Sequence, residues 1–340
     1  MLLPVAALLL AAAAAESPAP APTPKPEAPL ADTGQVRHYT KTFGEDSDFA
    51  GRAPSFADNG DGTVTDRVTG LVWEKTDGGA MTWEQARARA ETLRLAGRSD
   101  WRLPSSMELL ALMDHDRHGP AMDTAAFPYT GARYWWTRTP AAGDPSRAWL
   151  VNTGGGIGAH AKTEAVGAGG DRPVHVRCVS GACATGDGPK LRDNGDGTVS
   201  DLRTGLVWQK AGPDKPMTWE QALAACSSLN LAGKTDWRLP NIKELRSLSD
   251  DTRSRPSVDR AFFPSVQSSA YWSSTTQSNR PERAWHTDFA SGLVTYTDKT
   301  ASLLVLAVRG GDVTPGPRDK PTPPPAPAQG KPRDDRRHGA

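Results

Sequence analysis

The chain has 340 residues, with 40 Lys and Arg against 39 Asp and Glu, a formal net charge of +1 and a mean hydropathy of −0.54. That balance excludes nucleic acid as a partner chosen by bulk electrostatics, which needs a basic excess. No internal stretch is apolar for long enough to span a bilayer, and three cysteines allow at most one disulfide and are too few for a structural zinc cluster.

In chain order, residues 1–15 hold an apolar run ending in Ala13-Ala14-Ala15, the pattern of a secretory signal peptide, although a basic flank is missing. Residues 16–50 are expected to be a Pro/Ala-rich linker and residues 312–340 a charged, Pro-rich tail, both solvated. Between them the chain states one module twice. Residues 58–73, DNGDGTVTDRVTGLVW, return at 193–208 as DNGDGTVSDLRTGLVW, and the same landmarks follow each copy in the same order. A repeat of this length exceeds solenoid units and matches a self-sufficient domain. The expected organisation is two independent domains, residues 51–181 and 182–311.

Within a module, the Asn-Gly and Asp-Gly steps at 59–62 predict a turn, residues 63–66 a strand, Thr69-Gly70 a second turn and residues 71–73 another strand. A calcium loop is not expected, because Ala57 and Val68 stand where an EF-hand needs acidic ligands. Thr82 and Gln85 form a predicted capping box for a helix running toward Gly97, and Ser105 with Glu108 predicts a second, shorter helix. Strands are predicted around residues 134–137, 148–151 and 174–176. The fold class is α+β, each module a twisted antiparallel sheet with two short helices.

Trp73, Trp83, Trp101, Trp135 and Trp149 recur in the second copy inside regular elements and are expected in the core. Trp136, set opposite Ser273, is the candidate surface platform. The copies differ most at residues 138–147 and 275–283, loops on a shared scaffold. There and nearby, Arg138, Arg147 and Lys162 in the first copy, and Arg280, Arg283, His286 and Lys299 in the second, could meet an anionic glycan through charge-assisted bonds; ordinary solvated charge is the alternative. His115 and His118 have no counterpart in the second copy, so no metal site is expected. No nucleophile or acid-base group repeats beside Asp100-Trp101-Arg102, so neither an enzyme nor a cofactor is expected.

The ordered motifs Asp-Asn-Gly-Asp-Gly-Thr-Val, Thr-Gly-Leu-Val-Trp, Thr-Trp-Glu-Gln-Ala, Leu-Ala-Gly, Asp-Trp-Arg-Leu-Pro, Glu-Leu, Tyr-Trp and Val-Arg-Cys-Val resemble the Lcl C-terminal domain family, across nearly all of both modules. The resemblance implies an exported bacterial module related to the C-type lectin-like fold, secreted, periplasmic or on the cell surface. It also implies an adhesive head that binds sulfated glycosaminoglycan; the collagen-like stalk of the member that names the family does not occur in these residues. A further implication is one disulfide from the first helix to the last strand. Here its halves are split, with Cys178 and Ala90 in the first copy and Cys226 and Gly310 in the second. Cys178 with Cys183, Cys183 with Cys226, and Cys178 with Cys226 are the open pairings, and Cys183 with Cys226 is the favoured one because it restores the second helix's staple. The expected function is a non-enzymatic tandem binder of anionic surface polysaccharide, with avidity from two heads. The alternative is a protein-protein or envelope scaffold module without glycan affinity.

Overall fold

The computed structural model describes residues 30–167, 172–182 and 188–316. The expected signal peptide, residues 16–29, Cys183 and the tail beyond residue 316 lie outside the described residues.

The first module follows a two-residue strand, β1 (Phe49–Ala50), and opens with β2 (Phe56–Asp58), β3 (Thr63–Asp66) and β4 (Val72–Glu74). Between β2 and β3 the Asp58 and Asp61 carboxylates accept from the Gly60 and Thr63 amides at 3.0 and 3.1 Å, so the acidic turn closes on its own backbone. Helices α1 (Trp83–Thr92) and α2 (Ser106–Ala111) both start at the predicted capping boxes. Helix α1 ends short of Gly97. Ala96 and Gly97, at φ 53° and 70°, form instead a tight turn whose flanks, Leu95 and Arg98, pair as a β-bridge. Strands β5 (Tyr134–Ala141), β6 (Asp144–Asn152), β7 (Ile157–Ala161), β8 (Val166–Gly167), β9 (Arg172–His175) and β10 (Val179–Ser180) complete the module. β10 returns to β4, giving a four-stranded sheet in the order β10-β4-β3-β2.

The second module repeats this with β11 (Leu191–Asp193), β12 (Thr198–Asp201), β13 (Leu206–Gln209), α3 (Trp219–Ser227) and α4 (Ile242–Ser247). Then come β14 (Ala270–Thr276), β15 (Arg283–Asp288), β16 (Leu293–Asp298) and β17 (Val308–Gly310), with β18 (Thr314–Pro315) beyond them. The architecture is α+β and rich in strand.

The modules are not independent. Their larger strands share one eight-stranded sheet, β14-β15-β16-β7-β6-β5-β9-β8, antiparallel except between β5 and β9, in which Val294 of β16 pairs with Ile157 of β7. Beneath this seam Ile242, Trp285 and Val294 of the second module are buried in one apolar cluster with Trp73, Leu109, Trp149 and Ile157 of the first. Polar groups join the modules as well. The Arg246 guanidinium donates to the Asp251 carboxylate and to Ser106 Oγ, and Ser106 Oγ donates to Asp251 at 2.6 Å. Lys243 Nζ donates to the carbonyls of Ala111 and Asp32, and burial pushes this ammonium down to about 8. His115 is buried edge-on against Trp285, with ring centroids 5.4 Å apart.

The expected linker is also part of the fold from residue 30 onward. Ala31, Thr33, Gln35, Phe43, Glu45, Asp46 and Asp48 are buried, and Gln35 exchanges two 2.9 Å hydrogen bonds with the Thr276 backbone. β1 pairs with β18, so the start of the expected tail is folded too. The Pro/Ala composition of the preceding stretch had masked Tyr39, Phe43 and Phe49 and the carboxylates that order this arm.

Truncating Trp285 to Ala opens a cavity in the shared cluster, at a cost of about 3 to 5 kcal/mol. Calorimetry should show one transition for both modules, moved down as a unit, whereas loss from one of two separate transitions would contradict the shared core. Burial, aided by the Lys243 charge, holds the His115 pKa well below its ordinary value, so protonation favours the unfolded chain. That stability is complete above about pH 6.5, the unfolded value, and falls below it. Lys243 acts in the same sense, and Asp46, raised mainly by burial, in the opposite sense. His115→Leu should therefore shrink the drop in melting temperature between pH 7.5 and 5.5, because the other groups are common to both proteins.

Candidate functional site

The site is built on helix α1 and the loop behind it. Trp83, the first residue of α1, donates its indole N–H to the Thr137 carbonyl at 2.8 Å, and Trp136 donates back across the helix start to Met81 at 2.9 Å. Trp219 to Ser273 and Trp272 to Met217 repeat both bonds at the same lengths. These four contacts set the equivalence of the copies. Trp136 corresponds to Trp272 and not to Ser273, and it is fully buried, so the candidate surface platform is a core residue. A one-residue slip in alignment exchanges the two faces of a strand, which is why Trp136 looked unmatched. The five tryptophans expected in the core, Trp73, Trp83, Trp101, Trp135 and Trp149, are all buried.

Beside α1 the first module has an open cleft of about 180 Å³, lined by Arg87, Ala90, Trp101, Arg102, Leu103 and Arg138, with Glu91 at its rim. Arg102 is held rigidly. It donates to both oxygens of buried Glu108 at 2.8 Å and to the Gly181 carbonyl at 3.0 Å. Arg87 lies on the exposed side of α1, with Glu84 and Glu91 at 3.6 and 3.8 Å, loose solvated pairs that leave much of its charge available. Arg138 enters from β5, where its amide donates to the Pro104 carbonyl at 2.8 Å.

In the second module the equivalent residues are Leu223, Cys226, Trp237, Arg238, Leu239 and Ser274, and all are buried. Ala90, Trp101 and Leu103 are buried in the first module too, so the copies differ at Leu223, Arg238 and Ser274, and the arm lies over the first two. Gly44 lies against the Leu223 backbone, Phe49 lies under the Arg238 guanidinium at 5.3 Å, and Asp46 Oδ2 accepts from Thr275 Oγ1 at 2.5 Å. Gly44 has φ +116°, and a Cβ there would sit 3.4 Å from the Leu223 carbonyl oxygen, so a side chain would strain the backbone at the point of closest approach.

The other predicted residues are scattered. Lys162 and Lys299 are equivalent and sit over the rings of Trp83 and Trp219 at 4.3 and 3.8 Å, and burial lowers Lys299 to about 8. Arg147 is exposed and donates to the Ala159 carbonyl. Arg283 pairs with Asp298 at 2.9 Å and stacks on Tyr296. Arg280 is exposed on the loop before β15. His286 is no surface contact; it is buried beside Trp272, and burial lowers its pKa. Of the predicted set, only Arg138 lines the cleft. Arg87, Trp101 and Arg102 were missed as site residues, although one signal was present: an exposed helix position is Arg in one copy and Leu, Leu223, in the other.

Residues 62–180 and 197–309 each match the Lcl C-terminal domain, together more than half of the chain. The chain belongs to that family. No curated protein matches it.

In the first Lcl C-terminal domain Asp77 receives bonds from Thr130 and Trp135 and pairs with His175 Nδ1 at 2.8 Å. Burial would raise this carboxyl, but the bonds from His175 and Thr130 and the Arg177 charge bring it to about 2. Thr130 lies beside the same ring nitrogen that already faces Asp77, so the trio is not arranged for nucleophilic attack. Among the described residues no group of three or more His, Cys, Asp or Glu is placed to hold a metal ion, and no helix is long and apolar enough to cross a membrane.

Strand pairing corrects the cysteine correspondence. Val179 pairs with Trp73 as Val308 pairs with Trp208, so Ala307, and not Gly310, is the counterpart of Cys178. Each Lcl C-terminal domain thus keeps one thiol and one Ala, Cys178 with Ala90 and Ala307 with Cys226, inside matching apolar clusters. Cys178 and Cys226 are free thiols, pushed up by burial. The favoured partner, Cys183, lies outside the described residues.

Replacing Gly44 by Ala should loosen the arm at a cost of roughly 1 to 3 kcal/mol. Hydrogen exchange over residues 33–48 should speed up while that of β5 and β6 stays unchanged; equal protection in both proteins would refute this closure.

Proposed function

We propose that the protein is a non-enzymatic binding module whose first Lcl C-terminal domain carries the ligand-accepting face and whose second is closed by the chain's own arm. The observation that carries this reading is the contrast between one cleft edged by Arg87, Arg102 and Arg138 and an equivalent surface buried under residues 39–49. Three guanidiniums around an aromatic wall select anionic ligands, because Arg offers planar, persistent donors to carboxylate or sulfate. The cleft lies below the roughly 300 to 1,000 Å³ usual for small-molecule sites, so it suits one group projecting from a polymer. Export, a position in the envelope or outside the cell, and kinship with the C-type lectin-like fold belong to this reading. With one open face of this kind among the described residues, avidity would come from repetition in the ligand or from several copies of the protein, and not from two heads.

The full chain should bind immobilised dextran sulfate and polyglutamate saturably, bind neutral dextran weakly, and lose affinity as salt rises. Arg138→Glu should weaken retention by about tenfold, equivalent to about 1.4 kcal/mol, while Arg280→Ala with Arg283→Ala changes it less than about twofold. Equal retention of the Arg138→Glu protein would remove the cleft as the site.

A further inference from the structure

The arm shows what kind of ligand this face accepts. On the second domain Lys299 approaches the Tyr39 ring at 5.8 Å, Leu223 backs Gly44, Thr275 donates to Asp46, and Arg238 covers Phe49. The matched pairs Trp83 with Trp219 and Pro104 with Pro240, whose carbonyls accept from Arg138 and Ser274, carry these positions onto Lys162, Arg87, Thr139 and Arg102 of the first domain. Three of the four are the same residue type. The fourth, and Arg138 in place of Ser274, add positive charge.

We propose that the open cleft of the first domain is a receptor for a compact, turned acidic and aromatic segment of a partner polypeptide, bound as the second domain binds residues 39–49 of this chain, where residues 46–48 form a 3-10 turn. This rests on the reading of the protein as a binding module and names the ligand of the same site. The segment on the second domain, Phe43-Gly44-Glu45-Asp46-Ser47-Asp48-Phe49, carries three carboxylates between two aromatic rings, whose centroids lie 5.6 Å apart. Glu45 and Asp48 turn back to accept from the Tyr39 and Gly44 amides at 2.9 and 2.8 Å, while Asp46 accepts from Thr275 of the second domain, so the net negative charge of this folded turn is what complements Arg87 and Arg138. The bond between Arg102 and Glu108 does not occlude the guanidinium face, because Arg238 makes the same pair with Glu244 at 2.6 Å while covering Phe49.

The chain's own arm is committed elsewhere. Gln35 is bonded to Thr276, the Asp32 carbonyl to Lys243, and β1 to β18. This tethering gives the arm a high effective concentration at the second domain, so a free peptide of the same sequence does not displace it and meets only the open cleft.

The test uses the full chain and a labelled synthetic peptide of residues 38–50, followed by fluorescence anisotropy. Saturable binding with one peptide per chain is expected. It should weaken by about tenfold or more in Arg138→Glu, in Arg87→Glu and with a Phe49→Ala peptide, and stay unchanged in Arg280→Ala. Arg87 is solvent-exposed, so its variant keeps the test valid where Arg138→Glu fails to fold. Several results overturn the proposal: no binding, binding that ignores both charge reversals, or crosslinks that place the peptide on the second domain. Concentration-dependent dimerisation abolished by Arg138→Glu would assign the cleft to a second copy and overturn a separate partner. Retention of dextran sulfate through Arg138 without peptide binding overturns the peptide and leaves the module reading standing, whereas failure of both overturns both.

Discussion

A buried carboxylate organises each domain. Glu108 sits at the third position of α2, accepts from the Ser105 amide at 2.8 Å, and binds Arg102 through both oxygens. Glu244 does the same for Asn241 and Arg238. A charged group this deep is tolerated only with its lone pairs filled, and here one residue caps a helix, fixes an arginine and, through that arginine, ties down the end of the sheet-closing strand, at Gly181 just after β10 or at Gly310, the last residue of β17. Removing the arginine would leave a buried carboxylate without its countercharge. The same clamp aims one face of Arg102 into the open cleft and one face of Arg238 onto Phe49. In each domain the scaffold and the face presented by this arginine therefore depend on one ion pair.

From this common frame the copies diverge by what lies over them. On the second domain the arm replaces water, and the residues beneath it are apolar or small, Leu223 and Ser274. On the first domain the matching positions are Arg87 and Arg138, suited to solvent and to anions. The seam between modules follows the same logic. Apolar strand edges that would be exposed in a lone domain are buried by the shared sheet, and Lys243, Arg246 and Asp251 are each held by a bond across or along it. A duplication can thus become one cooperative body with inequivalent faces.

Local signals were legible where the physics is local. The acidic turns, both capping boxes of each module, the opening strands and the burial of Trp73, Trp83, Trp101, Trp135 and Trp149 were readable from residue type and spacing. Errors arose where a neighbour distant in sequence decides. Trp136 was taken for a platform because its partner was counted one residue off, and Gly310 was matched to Cys178 across a connection that differs in length between copies. The arm was read as linker because composition averaged over 16–50 does not show that Asp46 and Gln35 find partners more than 200 residues away. The cleft was passed over because Asp100-Trp101-Arg102 reads as a structural loop, which it also is.

The sequence by itself determined the duplication, the family, the helix starts and the burial of the five recurring tryptophans of the first module. These follow from turn chemistry, caps and periodicity, each set by contacts within a few residues along the chain. Only the tertiary structure decided that the two copies form one sheet, that the arm closes one domain and leaves the other open, and that Arg87, Arg102 and Arg138 converge on a single cleft. The physical reason is that burial depends on what packs across a surface, and the same helix face is core or open surface according to whether another segment of chain lies upon it.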